Sequence, residues 1–382
     1  MNQWEALHRY AVEVRRELHK YPEVGFDLEK TEAIVAGELE KMGIAFTRQY
    51  GQCSLAADLG QGELLIAFRA DMDALPVEEL VDLPFRSCHP GKMHACGHDA
   101  HTAILLATAR YLKQHEKELP CRIRLIFQPS EEGAISGAGM MVDHGVMEGV
   151  NHVLGIHCEH NEKVGVIGTH AGDYMAACIP ANLTFFGKSS HATLPENGID
   201  AVAMAVEAYD RMKAMVAREA GETPYIWNIG RLSGGHVHNV IADQCTMDIS
   251  FRYYDNDFAQ RVGAGVKEIA EDVCRKFGGR MELDWHVSTG PVHNDARVEK
   301  QFKECLAANG FVLADTPARM SSEDFGCYLT QVPGMLFRFG ISGPNAPGEQ
   351  VAHRGDFMLD EDGMREAIRA YCTYAMNAKA ID

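Results

Sequence analysis

Cys96-Gly97-His98-Asp99, followed by Glu131-Glu132, sets a thiol, an imidazole and two adjacent carboxylates within one stretch of chain. Cysteine and histidine at i and i+2 fall on one side of an extended loop, so both can reach one metal cluster. Gly97 permits tight backbone geometry between them. Adjacent carboxylates point in different directions, so one of Glu131 and Glu132 can coordinate while the other handles a proton. That pairing suits a site where a metal lowers the pKa of water toward neutrality. A structural zinc clip closes its shell with Cys and His and has no use for the Glu-Glu pair. The chemistry to expect is hydrolysis at divalent metal. His157 and His353, the latter in Val351-Ala352-His353-Arg354, are the remaining candidate ligands, while His94 and His101 read as supporting or structural. Each residue alone has a plainer reading: an inert buried thiol, a hydrogen-bonded core imidazole, a solvated acidic turn.

The elements that must position these groups tip the balance. Leu64 to Phe68, Ile123 to Phe127, His152 to Ile156 and Met335 to Phe339 are short apolar runs, the pattern of strands buried on both faces. Helical stretches lie between them, notably Ala100 to Leu112. Ahead of them, Trp4, Leu7, Ala11, Val14 and Leu18 form the stripe of an amphipathic first helix. Pro22 ends it, and a second helix is expected near Lys30 to Met42. Strands alternating with helices imply an α/β fold with a mostly parallel central sheet covered by helices. Ligand-handling groups then gather beyond the carboxyl ends of the strands. Asp71 and Asp73 follow the first run, Glu131 and Glu132 the second and His157 the third. Three strand ends delivering metal-competent side chains to one edge is hard to reconcile with the plainer readings.

At 382 residues the chain exceeds the usual size of a single core. Its middle has a different texture. Strands near Ala181–Phe186, Tyr225–Gly230, Thr246–Tyr253 and Met281–Val287 alternate with helices over Ile199–Ala217 and Ala259–Phe277. In the first of these helices Val202, Val206, Tyr209 and Met212 share a face. The order β-α-β-β-α-β is ferredoxin-like. The expected organisation is a catalytic domain over residues 1–179 and 291–382, interrupted by an inserted α+β domain over 180–290.

A formal charge of -18 argues against nucleic acid and against an anionic membrane surface, but not against a small anionic substrate. Eleven cysteines at irregular spacing read as reduced thiols of a cytoplasmic enzyme and not as a disulfide framework. The N-terminal segment runs into a charged helix without an apolar signal core, and no stretch approaches a membrane span.

With these residues in hand, the chain resembles the aminoacylase and carboxypeptidase-like metallohydrolases. It is most similar to their amidohydrolase branch of hippurate hydrolases, auxin-conjugate hydrolases and N-acetyl-diaminopimelate deacetylases. The resemblance runs nearly end to end, through Arg16–Glu23, Arg69–Pro76, Met93–Asp99, Phe127–Gly133, Gly187–Ala192, His238–Ile241 and Ser322–Phe325. It implies two divalent metal ions per subunit (Zn, Mn, Co or Ni), with Cys96, His98, Glu132, His157 and His353 as ligands and Cys96 as the bridge. It further implies Glu131 as general base. Of the acids at the first strand end, Asp73 would orient a ligand and Asp71 would not bind metal. The inserted domain would act as a lid and dimerise the chain, His191 would reach a neighbouring subunit's site to stabilise the oxyanion, and Asn239 and Arg252 would hold the substrate carboxylate. Two departures bear on substrate: Cys158-Glu159-His160 follow His157 where an aromatic and Pro are usual, and Glu196 follows Pro195 where His is usual.

The resulting expectation is hydrolysis of an N-acyl amino acid, with Glu131 taking the proton of the attacking water and returning it to the leaving nitrogen. A dipeptidase or carboxypeptidase could use the same residues. A non-catalytic metal- or ligand-binding protein is the reading from another class, and it would not need Glu131.

Overall fold

Asn2 accepts a hydrogen bond from the Trp4 amide while Glu5 reaches back to the Asn2 amide, a capping box that starts α1 (Gln3–Lys20). In the computed structural model, which describes residues 2–287, 289–346 and 351–381, α2 (Glu29–Lys41), β1 (Leu55–Leu59) and β2 (Leu65–Asp71) follow. Next come α3 (His98–Gln114), β3 (Arg122–Gln128), α4 (Gly137–Asp143), β4 (His152–Lys163), β5 (Val166–Thr169) and β6 (Gly172–Met175). The middle segment holds β7 (Ala177–Phe186), α5 (Ala201–Ala220), β8 (Ile226–Gly234), β9 (Gln244–Tyr253), α6 (Asn256–Phe277) and β10 (Arg280–Trp285). The chain continues through β11 (Val292–Asn294), α7 (Ala296–Ala308), β12 (Val312–Asp315), α8 (Gly326–Leu329), β13 (Gly334–Ser342) and α9 (Gly363–Met376).

These elements form two compact units. The larger takes the chain up to Tyr174, Val292–Ala318 and the part from Asp324 onward; the smaller takes Met175–Pro291 and Arg319–Glu323. A seven-stranded sheet in the order β1-β3-β2-β4-β13-β5-β12 organises the larger unit. β2 runs parallel to β3 and β4, β13 parallel to β4 and β12 parallel to β5, while β1 and β5 meet β3 and β13 antiparallel. The sheet is therefore mostly parallel, as the apolar runs require. Every residue of β2 is buried. α3 is buried nearly all round, with Ala100, Ala103, Ile104 and Leu105 fully enclosed, because it packs between α1, α9 and β2.

In the smaller unit the antiparallel sheet β10-β7-β9-β8 packs one face on α5 and α6. β9 alternates accordingly, with Cys245, Met247, Ile249, Phe251 and Tyr253 buried. No described helix is long and apolar enough to cross a membrane, and all eleven cysteines are free thiols.

Several local expectations are corrected. Cys96 and His98 do not share an extended loop: Gly97, at φ +84°, is the N-cap and His98 is the first residue of α3. His157 does not lie beyond a strand end, because β4 continues to Lys163 by pairing with β13 despite its polar sequence. In α5 the buried face is Met204, Ala205, Ala208 and Met212, leaving Val206 47 % exposed; small alanines let the helix sit close to the sheet. β1, β5 and β12 went unrecognised, being only five, four and four residues long.

Candidate metal and base site

β2 ends at Asp71, and Arg69, two residues earlier, lies on the same face. Arg69 is fully buried and donates from Nη1 to Asp71 Oδ2 at 2.6 Å, from Nε to Gln128 Oε1 at 2.7 Å and from Nη2 to Asp324 Oδ1 at 3.1 Å. Asp71 Oδ1 accepts from His101 Nδ1 at 2.7 Å, and its carbonyl accepts from Thr102 Oγ1 at 2.6 Å. His101 Nε2 accepts the Cys158 amide at 2.9 Å. These bonds commit Asp71 and His101 to fastening β2, α3 and β4 together. Burial opposes ionisation of Asp71, but His98, Arg69 and His101, in that order, hold its carboxyl well below the usual carboxylate range.

Asp73 is a hub. Its Oδ1 lies 3.4 Å from His98 Nδ1 and accepts the Glu131 amide at 2.9 Å, while Oδ2 accepts the Glu132 amide at 3.1 Å. With Nδ1 turned to Asp73, His98 aims Nε2 at Asp71 Oδ2, 3.8 Å away, and Glu131 Oε2, 3.9 Å away. His157 donates from Nδ1 to the Cys158 carbonyl at 2.7 Å, leaving Nε2 3.6 Å from Cys96 Sγ. His353 Nε2 lies 2.9 Å from Glu132 Oε1. The His353 backbone adopts φ +67°, uncommon for a residue with a side chain, and its amide is tied to the Ala95 carbonyl at 2.8 Å.

Among the groupings whose ligand atoms lie within 4.8 Å of one another, those built from the expected ligands and base are Cys96, His98 and His157; Cys96, Glu132 and His353; and His98, Glu131 and Glu132. Cys96 belongs to the first two, which is where a bridging ligand would stand. Among the described residues, both ring nitrogens of His98 and Oε1 of Glu132 are buried without a hydrogen bond of normal geometry. Orphaned atoms of this kind are rare in native interiors, and a cation coordinated between them would satisfy them. Burial disfavours charge on His98, but Asp71, Asp73 and Glu132 prevail and raise its pKa to about 10. Burial, followed by Glu132, pushes the Cys96 thiol up, and burial drives His157 down. Glu132 is lowered, the His353 contact outweighing burial together with His98. The cluster thus concentrates carboxylate charge that a proton on His98 only partly offsets. Thiolate, imidazole and carboxylate donors fit zinc, cobalt, nickel or manganese.

The other expected site residues lie in the smaller unit. His191 pairs with Val240 in an isolated bridge, and the Asn239 carbonyl accepts the Ala192 amide at 3.0 Å, so these two segments are held side by side. His191 is exposed and contacts Thr193 Oγ1 through Nδ1 at 2.8 Å. Arg252, on β9, donates to the Met320 carbonyl at 2.8 Å. Sequence reasoning passed over Arg69, while His101 takes the supporting place expected of it. A charged residue inside a fully buried strand was the available signal for Arg69.

A model of peptidase family M20/M25/M40 matches residues 67–377. The chain is 32% identical over 379 residues to the N-acetyl-L-cysteine deacetylase of Bacillus subtilis, covering 98% of this chain and 89% of that protein. It is 31% identical over 364 residues to an IAA-amino acid hydrolase (ILR1-like 4) of Arabidopsis thaliana, covering 92% and 82%. Among solved structures, a Bacillus subtilis dinuclear metal binding peptidase of the M20 family superposes with a TM-score of 0.83 at 30% identity over 98% of both chains.

Proposed function

Because the chain belongs to peptidase family M20/M25/M40 and is a hydrolase of amide bonds, we propose that it cleaves N-acyl amino acids to a carboxylic acid and a free amino acid at a two-metal centre. Cys96, His98, Glu132, His157 and His353 would hold the ions, Cys96 being common to two of the groupings. Divalent metals in such a shell acidify water and polarise the amide carbonyl.

The observation that carries this reading is the divergence of the Glu131-Glu132 pair. Both amides are anchored on Asp73, so the side chains part: Glu132 runs to His353 and Glu131 to the Nε2 side of His98. Glu131, with its side chain 10 % exposed, receives the proton of the attacking water and delivers it to the leaving nitrogen. Positioned bases of this kind contribute about 10²–10⁴-fold. Asp73 and Asp71 orient the ligands from behind. His191 of a second copy stabilises the developing oxyanion, Asn239 and Arg252 bind the substrate carboxylate, and the working assembly is a cytoplasmic homodimer.

The test is a panel of N-acyl amino acids and dipeptides assayed with metal-loaded wild type and Glu131→Gln. The expected result is cleavage of the N-acyl substrates, lost by about 10²–10⁴-fold in the variant with metal content unchanged. Preferential dipeptide cleavage would move the enzyme to the peptidases, and full activity of Glu131→Gln would remove Glu131 as the base.

A further inference from the structure

The proposed ligands come from segments far apart in sequence, and one buried imidazole stands between two of those segments. His19, on α1, is 1 % exposed. Its Nδ1 contacts Asp99 Oδ2 at 2.7 Å and its Nε2 contacts Glu79 Oε1 at 3.3 Å. Asp99 directly follows His98, and its other oxygen accepts the Ala100 amide at 2.9 Å, so it is fixed to the first turn of α3. Arg15 Nε donates to the same Asp99 oxygen at 3.0 Å.

Glu79 belongs to the opposite side. It is 2 % exposed, and its Oε2 accepts the Ser87 amide at 2.7 Å, which folds the 79–87 loop around it. The next residue, Leu80, donates its amide to the Gly355 carbonyl at 2.7 Å. A side chain at Gly355 would meet the Glu78 carbonyl at 2.2 Å, so only glycine permits this approach. Two residues before Gly355 stands His353. A continuous path of bonds therefore runs from His98 and Asp99 through His19 and Glu79 to Leu80, Gly355 and His353.

We propose that His19 is a positioning residue that holds the Cys96–His98 segment and the His353 loop at the spacing needed for a two-metal centre. Two carboxylate partners require both imidazole nitrogens to donate, so His19 is an imidazolium. Burial opposes that charge, but the bonds to Asp99 and Glu79 prevail and raise its pKa. An imidazolium suits the task because its two donors diverge in one rigid plane. His19 touches none of the ligand side chains directly and acts through Asp99 and Glu79. The residues outside a metal shell that orient its ligands commonly govern affinity about 10–100-fold.

The inference rests on the two-metal reading above, and one titration separates them. The intact protein is loaded with cobalt(II) and back-titrated with a competing chelator, following bound cobalt by elemental analysis and the thiolate-to-cobalt absorption of Cys96. Wild type is expected to bind two ions. His19→Ala is expected to weaken at least one of them about tenfold or more, and Glu79→Gln, which preserves the side-chain shape, to do the same. The double variant should bind no more weakly than the worse single variant, because both break one link. If His19→Ala does not fold, the Glu79→Gln titration decides alone. Wild-type cobalt affinities in folded variants, even with a lowered melting temperature, would overturn the positioning role. A wild-type protein that binds fewer than two ions would instead overturn the two-metal reading.

Discussion

Asp73 Oδ1 faces His98 Nδ1 at 3.4 Å, so the opposite nitrogen, Nε2, is the one that would meet a bound metal. A carboxylate behind a liganding histidine sets its orientation and raises its basicity. Asp73 has a second duty, since the amides of Glu131 and Glu132 both point at it. Asp73→Asn keeps the volume but replaces one acceptor oxygen with a donor, so it cannot satisfy both amides. The expected result is metal affinity lower by about 10–100-fold and a fall in kcat that saturating metal does not fully restore. Chelator competition together with steady-state assays at saturating metal would measure both, and wild-type values would remove Asp73 from the site.

That pairing also marks how far the residues could be read without coordinates. The Cys, His and Glu types at the site, the adjacency of Glu131 and Glu132 and the alternation of apolar runs with helices are local patterns, and local patterns survive in sequence. The inserted segment was legible for the same reason, since β9 alternates strictly. What stayed hidden depends on partners distant in the chain. β4 passes His157 and continues to Lys163 only because β13 supplies its hydrogen bonds. Arg69 has meaning only once Gln128 and Asp324 are beside it. His19 gains its partner Asp99 only because α1 packs against α3.

Arg69→Met tests the network behind the site. The side chain is fully buried, and its removal leaves Asp71 and Asp324 without their shared cation. Breaking a buried charge cluster by deleting one partner costs about 3–5 kcal/mol. Asp71 keeps His101 and Asp324 keeps Gln128 and Ser136, which favours the lower end. Urea unfolding of wild type and variant gives the difference, and a change below about 0.5 kcal/mol, the scale of an ordinary surface substitution, would contradict the buried network.

His353→Ala should behave in the opposite way. Its side chain is 54 % exposed, so stability should change by no more than about 0.5 kcal/mol. Metal content should fall, because Glu132 loses its partner in the Cys96–Glu132–His353 grouping. Elemental analysis after dialysis, paired with a melting curve, separates the outcomes: full occupancy would exclude His353 from the shell, and a large loss of stability would make it a structural residue. Chelating the wild-type protein should abolish amide hydrolysis, and adding back Zn, Mn, Co or Ni in parallel would identify the ion that restores it best.

The acid limit of stability should carry the signature of a histidine remote from the ligand cluster. His152, at the start of β4, is fully buried. Its Nε2 faces the Tyr374 hydroxyl at 2.8 Å, and that hydroxyl donates to Gln301 Oε1 at 2.6 Å. His152 must therefore donate from Nε2, and Nδ1 is buried without a partner among the described residues. Burial lowers its pKa from 6.5 to about 4, with Asp295 opposing. Between those two values the unfolded chain binds a proton that the folded chain does not, so stability falls as pH falls through the window. The full effect amounts to about 3 kcal/mol by pH ~4, and more than half of it is developed by pH ~5. His152→Gln retains a donor toward Tyr374 but cannot titrate, so its stability should decline less between about pH 7 and about pH 5. Chemical unfolding of both proteins at the two pH values reads the difference directly; parallel losses would mean that His152 is protonated in the fold or that other groups govern the acid limb.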